Sequence, residues 1–130
     1  MSGTGHTVKS YEEEMQSLND NLVMMGSLTE NQMADAMAAV IKVDKESVDK
    51  IVKNDGKINE LRSTIDNQIT TVLVKRAPMA VDLRITISTM KISHDLERIG
   101  DLAKSVAKKV KPLPVAVSYT HLTLPTIYSV

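Results

Sequence analysis

The sequence predicts an all-α chain folded as an antiparallel three-helix bundle. Three successive segments carry apolar residues at steps of three and four, the spacing of one buried helical face. The breaks between them are short, near 42–44 and 76–78, and short connections make consecutive helices antiparallel. Phe and Trp are absent and there are eight Met. The core must then be built from Leu, Ile, Val, Met and Ala, a palette that suits helices.

The first helix is expected from Ser10, where Ser10 and Glu13 fit a capping box. Tyr11, Met15, Leu18, Leu22 and Met25 form its stripe. Gly26 interrupts, Ser27 and Glu30 offer a second capping box, and Met33, Met37, Val40 and Ile41 resume the pattern. This reads as one long helix broken near Gly26 or as two helices in line. Asp44 can cap the second helix. Its buried face is Val48, Ile51, Ile58, Ile65, Ile69 and Val72, with Leu61 and Leu73 at the edges, and it should run to about Lys75. Pro78 suits the first position of the third helix, where a missing N–H costs nothing. That helix is expected over 78–110 with the stripe Ile85, Thr89, Ile92, Leu96, Ile99, Ala103, Val106 and Val110. Its steps alternate between four and three, as a left-handed bundle requires. Lys104, Lys108, Lys109 and Lys111 oppose the negative end of the helix dipole.

The bundle is expected to occupy 8–111. Residues 112–130, PLPVAVSYTHLTLPTIYSV, contain no Asp, Glu, Lys or Arg and hold three of the four prolines. SYTHLTLPTIYSV resembles translated sequencing-adapter sequence, so this tail is expected to be foreign to the natural protein, which would then continue past about residue 111. Basic and acidic residues balance at 16 each in a chain of 130. That balance gives no global attraction to nucleic acid or to an anionic membrane. Without cysteine there is no disulfide scaffold, thiolate metal site or cysteine nucleophile. No apolar run is long enough to span a bilayer and the start lacks an apolar signal core, so a cytoplasmic location is expected. No phosphate-binding glycine loop and no H-E-x-x-H motif is present.

The unusual stretch is SHDLERIGDLAKSVAKKV, residues 93–110. Glu97 and Asp101 are one turn apart, and like charges at that spacing disfavour a helix slightly. Gly100 between them costs about 1 kcal/mol relative to Ala. Two readings stand at this point. One is a solvated charged face, with Arg98 pairing to Asp95 or Asp101. The other is a cation site, since two carboxylates one turn apart can converge on one hard or borderline ion. In the second helix Asp55 falls on the otherwise apolar stripe, so it needs a partner or an exposed edge. Asn59 is one turn further and could ligate weakly through its carbonyl. Counting from the turn, Asp55 and Glu97 should lie at similar height.

Pro78 to Val110, PMAVDLRITISTMKISHDLERIGDLAKSVAKKV, resembles the PhoU family of regulatory accessory proteins of bacterial phosphate-specific transport. The motifs are RAPMAVDLR, with Ala77 where the family has Gln, and DLERIGD, complete from Asp95 to Asp101. HTVKSYEEEMQSL resembles the family's opening, and the likeness covers about 6–111. The resemblance implies one of the two similar three-helix bundles of a PhoU-like protein. It also implies iron or zinc clusters on the bundle surface held by E(D)-x-x-x-D motifs. Glu97 and Asp101 match that motif, and Asp55 and Asn59 occupy the second-helix position with Asn replacing the final Asp. The implied role is non-enzymatic: an adaptor between the ATPase subunit of the phosphate ABC transporter and a sensor histidine kinase, restraining uptake and the phosphate-starvation response. Two alternatives remain: an accessory regulator of a low-affinity phosphate transporter, and a metal-dependent helical-bundle enzyme. The latter would need an open coordination position beside a substrate pocket. A single bundle is further expected to self-associate, as a homodimer standing in for the tandem halves.

Overall fold

The computed structural model describes residues 2–76 and 80–114, with side chains from Lys9 onward. Three helices follow one another: α1 (Ser2–Lys42), α2 (Lys45–Arg76) and α3 (Ala80–Lys108). Each packs on the other two, giving the expected all-α three-helix bundle. Among the described residues no helix is long and apolar enough to cross a membrane. The Pro78 position and residues 115–130 of the tail lie outside the described residues.

Helix α1 differs from expectation in two respects. It begins at Ser2 instead of Ser10, so the capping box at Ser10 lies inside the helix. It also runs unbroken through Gly26, because Met25, Thr29 and Gln32 continue to bury their side chains on either side. Tertiary packing there outweighs the roughly 1 kcal/mol that a mid-helix glycine costs.

The end of α1 is closed at Val43, which takes a positive φ of 51°. The Asp44 N–H bonds the Ala39 carbonyl at 3.0 Å and the Val43 N–H bonds the Val40 carbonyl at 3.4 Å, a Schellman-type closure. Glycine is the usual residue at such a position, and a branched side chain there costs about 1–2 kcal/mol. Val43 is nearly fully buried beside Val48 and Val110, and burial of a valine, worth roughly 1.5–3 kcal/mol, offsets that strain. Asp44 then caps α2 as expected. Its Oδ1 accepts from the backbone N–H of Glu46 and Ser47, and its Oδ2 accepts from the Ser47 hydroxyl at 2.7 Å. These donors hold the Asp44 carboxyl below the usual aspartate value.

The buried face of α2 matches the sequence reading residue for residue, with Asp55 added to it. The first half of α1 also matches, with Leu18 and Met25 buried and Met15 and Leu22 packed against them, but the second half of α1 and the face of α3 do not. In α3, Thr89, Ala103 and Val110 are buried as expected. Their companions are Thr86, Ser93, Gly100 and Ala107, and not Ile85, Ile92, Ile99 and Val106, which stay 36–48% exposed. In α1 the buried set beyond Gly26 is Thr29, Gln32, Ala36 and Ala39, the last three each one position before the predicted Met33, Met37 and Val40, and the predicted Ile41 is exposed. The reason is the same in both helices. Small residues let the three axes approach closely, and the buried hydroxyls cost little because each donates to its own helix. Thr29, Thr86 and Thr89 bond the carbonyls of Met25, Asp82 and Ile85 at 2.7–2.8 Å, and Ser93 bonds that of Met90 at 2.8 Å.

The core consequently falls into two apolar clusters. One, near the α1–α2 connection, joins Ala36, Ala39, Val43, Val48, Ile51, Ala103, Ala107 and Val110. The other joins Leu18, Met25, Ile58, Ile65 and Ile69, with Met90 and Leu96 against it. Between them lies a buried polar layer centred on Gln32 and Asp55.

Candidate functional site

Asp55 is 1% exposed, on the face of α2 between Ile51 and Ile58. An isolated carboxylate there would be strongly disfavoured, so its partners decide whether the fold is tenable. Both oxygens are engaged. Oδ1 accepts from Gln32 Nε2 at 2.9 Å. Oδ2 faces Lys104 Nζ at 3.0 Å and accepts from Asn59 Nδ2 at 3.3 Å.

Gln32 binds all three helices together. Its amide nitrogen also donates to the Gly100 carbonyl at 2.8 Å, and its carbonyl accepts from Asn54 Nδ2 at 3.1 Å. Every polar atom of this buried amide is therefore used. Gly100 is explained by the same contacts. A Cβ at that position would lie 3.3 Å from Ile58 Cδ1, 3.4 Å from Asp55 Oδ1 and 3.6 Å from Gln32 Nε2. The helix accepts a glycine because α1 and α2 leave no comfortable space for a side chain.

Lys104 is the cation of the layer. It reaches from α3 to Asp55 and stands 3.8 Å from Asp101 on its own helix. The Asp55 contact, followed by the charges of Asp55 and Asp101, holds its ammonium above the usual lysine value against the opposing effect of burial. Further along the α2–α3 seam, Arg62 Nη1 holds Glu97 Oε1 at 2.8 Å and Arg62 Nε lies 3.6 Å from Asp66. His94 Nε2 is 3.4 Å from Asp66 Oδ1, an ion pair only when the imidazole is protonated. On the α1–α2 seam, Arg76 grips Glu14 with two nitrogens, at 2.9 and 3.2 Å, which lowers the Glu14 carboxyl below its ordinary value.

The structure therefore brings together only part of the predicted acidic set. Asp55, Asn59 and Asp101 meet around Lys104. Glu97 does not join them, because its carboxylate is held by Arg62 at 2.8 Å. Asp55 lies level with Gly100, whose Cβ position is 3.4 Å from Asp55 Oδ1, so Glu97, three residues away on α3, is displaced by only about 4.5 Å along the axis, within one turn of the expected equal height. Asn59 spends its amide N–H on Asp55. A hard cation needs six or more oxygen donors, and a zinc ion four N, O or S ligands. Among the described residues no three His, Cys, Asp or Glu side chains are grouped where they could hold an ion. As placed, these residues do not fit an iron or zinc cluster.

Gln32, Lys104 and Arg62 are the members that sequence reasoning missed. Gln32 was detectable as a polar residue at a core position, seven residues after Met25, once the phase of α1 is right. Lys104 lies three residues after Asp101 and was read only as a helix-end charge.

The displaced aliphatic side chains of α1 and α3 also meet. Met33, Met37, Ile99, Leu102 and Val106 line an open groove of about 290 Å³ with almost no polar surface. It lies on the α1 side of α3, whereas the ion pairs lie on the α2 side. This apolar groove and the carboxylates of the polar layer are therefore not adjacent. Several of the eight Met, expected in the core, are half-exposed instead, namely Met24, Met33 and Met37.

A sequence model of the PhoU domain matches residues 22–110. A phosphate-specific transport system accessory protein PhoU homolog from Caulobacter vibrioides is 39% identical over 120 residues, covering 92% of this chain and 52% of the relative. One of the same description from Zymomonas mobilis is 39% identical over 117 residues, covering 90% and 49%. The crystal structure of PhoU from Pseudomonas aeruginosa superposes with a TM-score of 0.75 at 37% identity, over 77% of this chain and 48% of that one. The chain spans about half the length of the curated relatives it matches. Matched over most of its helices by sequence and by fold, the chain belongs to the PhoU family.

Proposed function

We propose that the protein is a non-enzymatic regulator of phosphate uptake and phosphate-starvation signalling. In this reading it acts as a helical adaptor between the ATPase subunit of a phosphate ABC transporter and a sensor histidine kinase. The observation that carries the reading is the family match over 22–110, to relatives described as accessory proteins of phosphate-specific transport. The chemistry of the bundle agrees with it. Glu97, Asp55 and Glu14 are tied to Arg62, Lys104 and Arg76. The apolar groove between α1 and α3 is lined by no acid or base. The resources on offer are three long helical faces bearing flexible Met and Lys side chains, which suit docking. The proposed setting is the cytoplasmic side of the membrane, reached through partners and not by insertion.

The reading is tested by immobilising the chain and titrating it with the purified ATPase subunit and, separately, with the cytoplasmic part of the kinase. Saturable binding to both is expected. Failure to bind either, by a chain whose far-UV circular dichroism is helical, would remove the adaptor role.

A further inference from the structure

We infer that Lys104 is the built-in cation of the polar layer: its ammonium takes the place between Asp55 and Asp101 that the family resemblance assigns to a bound metal. The inference starts from the misfit described above and is independent of the adaptor reading. Two carboxylates from different helices face one point. At that point stands Lys104 Nζ, 3.0 Å from Asp55 and 3.8 Å from Asp101. A positive charge there cancels the like-charge repulsion that any cation site in this position would exist to cancel.

The neighbours are arranged for an ammonium and against a metal ion. A metal approaching Asp55 Oδ2 meets the N–H donor of Asn59, and Oδ1 is already held by the N–H donor of Gln32. With Gln32 on Oδ1 and both Asn59 and Lys104 on Oδ2, three of the roughly four lone-pair sites of the Asp55 carboxylate are taken, and these neighbours turn N–H donors, not lone pairs, toward the point where an ion would sit. Glu97, the other acid of the motif, is engaged by Arg62 at 2.8 Å. The only acid of the set with substantial solvent access is Asp101, at 49%.

Tethering changes the physics of the site. A bound metal leaves when its free concentration falls, and any stability it lends goes with it. Lys104 is attached to α3 one turn beyond Gly100, so its concentration at Asp55 is fixed by the fold. The α2–α3 seam of this bundle is then indifferent to iron and zinc supply. The cation also holds register, because Asp55 is buried and only one position of α3 presents Lys104 to it.

The test combines metal titration with thermal unfolding of the chain, using Zn²⁺ and Fe²⁺ under anaerobic conditions. For wild type, substoichiometric metal after desalting is expected, with a Tm unmoved by either metal or by chelator. Lys104→Ala should lower Tm by on the order of 10 °C, because a buried carboxylate loses its counter-charge. Lys104→Arg keeps a cation and should recover most of that loss. If Lys104→Ala fails to fold while Lys104→Arg folds, the cation is again required and the inference stands. One equivalent of metal in wild type, lost in an Asp55→Asn, Asp101→Asn variant, would overturn it. A Lys104→Ala protein as stable as wild type would overturn it too.

Discussion

Ile65 and Ile92 give the sharpest test of how α3 is rotated in the bundle. By apolar spacing both are core residues. In the structure Ile65 is fully buried and Ile92 is 47% exposed. Truncating a fully buried isoleucine to alanine costs about 2–5 kcal/mol, since the transfer energy is lost and a cavity is left. At Ile92 about half the side chain is already in water and no closed cavity forms, so about 1 kcal/mol is expected. For a bundle of roughly 100 residues, each kcal/mol moves Tm by about 4–8 °C. Ile65→Ala should then lower Tm by at least about 10 °C and Ile92→Ala by about 5 °C, read by circular dichroism. The melts are run at low and high protein concentration, because association through the groove beside α3 would cover Ile92. Equal losses for the two variants at low concentration would refute the assigned rotation of α3.

The apolar groove between α1 and α3 is expected to bind a second copy of this chain, because relatives carry about as much chain again beyond the matched half. Sedimentation velocity should show a dimer that Leu102→Glu dissociates, with little change in monomer Tm since Leu102 is 61% exposed. Asp44→Ala should cost about 1 kcal/mol in urea unfolding by removing the α2 cap, and an unchanged midpoint would contradict that role. Because Arg76 lowers the Glu14 carboxyl from its ordinary 4.5, the stability it contributes is present above that pH and is lost as pH falls through the lower folded value. Glu14→Gln should therefore lower Tm at neutral pH and flatten the acid side of the Tm–pH curve below about pH 4.5. Parallel curves for the two proteins would reject the pairing.

The bundle itself was legible because α2 has an unambiguous stripe and Asp44 a recognisable cap. The phases of α3 and of α1 beyond Gly26 were not. Counting hydrophobic residues favours Ile85, Ile92, Ile99, Met33 and Met37, because large aliphatic side chains score highest wherever they point. Beyond Leu18 and Met25, the buried positions of α1 and α3 are instead Gly, Ala, Ser, Thr and one Gln, whose value lies in small size and internal hydrogen bonding. That signal is visible only when helix separation is known. The candidate site suffered from the same slip. Asp55 was correctly identified as a carboxylate in need of a partner, but a one-position error in α3 hid Lys104 and directed attention to Glu97.

Gly26, Gly56 and Gly100 separate backbone cost from packing need. At Gly26 and Gly56 an added Cβ meets nothing within 4 Å. Alanine there should stabilise by up to about 1 kcal/mol through helix propensity alone. At Gly100 the same gain is opposed by a 3.3 Å approach to Ile58 Cδ1, tighter than most Cβ contacts, with Asp55 Oδ1 in direct contact at 3.4 Å. Neither neighbour can yield freely, because Ile58 is locked in the lower cluster and Asp55 is held by Gln32, Asn59 and Lys104. Gly100→Ala should therefore gain nothing or lose stability, although it sits in the same kind of helix interior. The contrast also bears on register. A slip of α3 by one turn would set Leu96 against Asp55 where even a methyl group is crowded, so the glycine and the buried carboxylate admit one alignment of the helices. If Gly100→Ala stabilises the protein as much as Gly26→Ala in parallel urea titrations, the close approach at the polar layer is wrong, and the register argument falls with it.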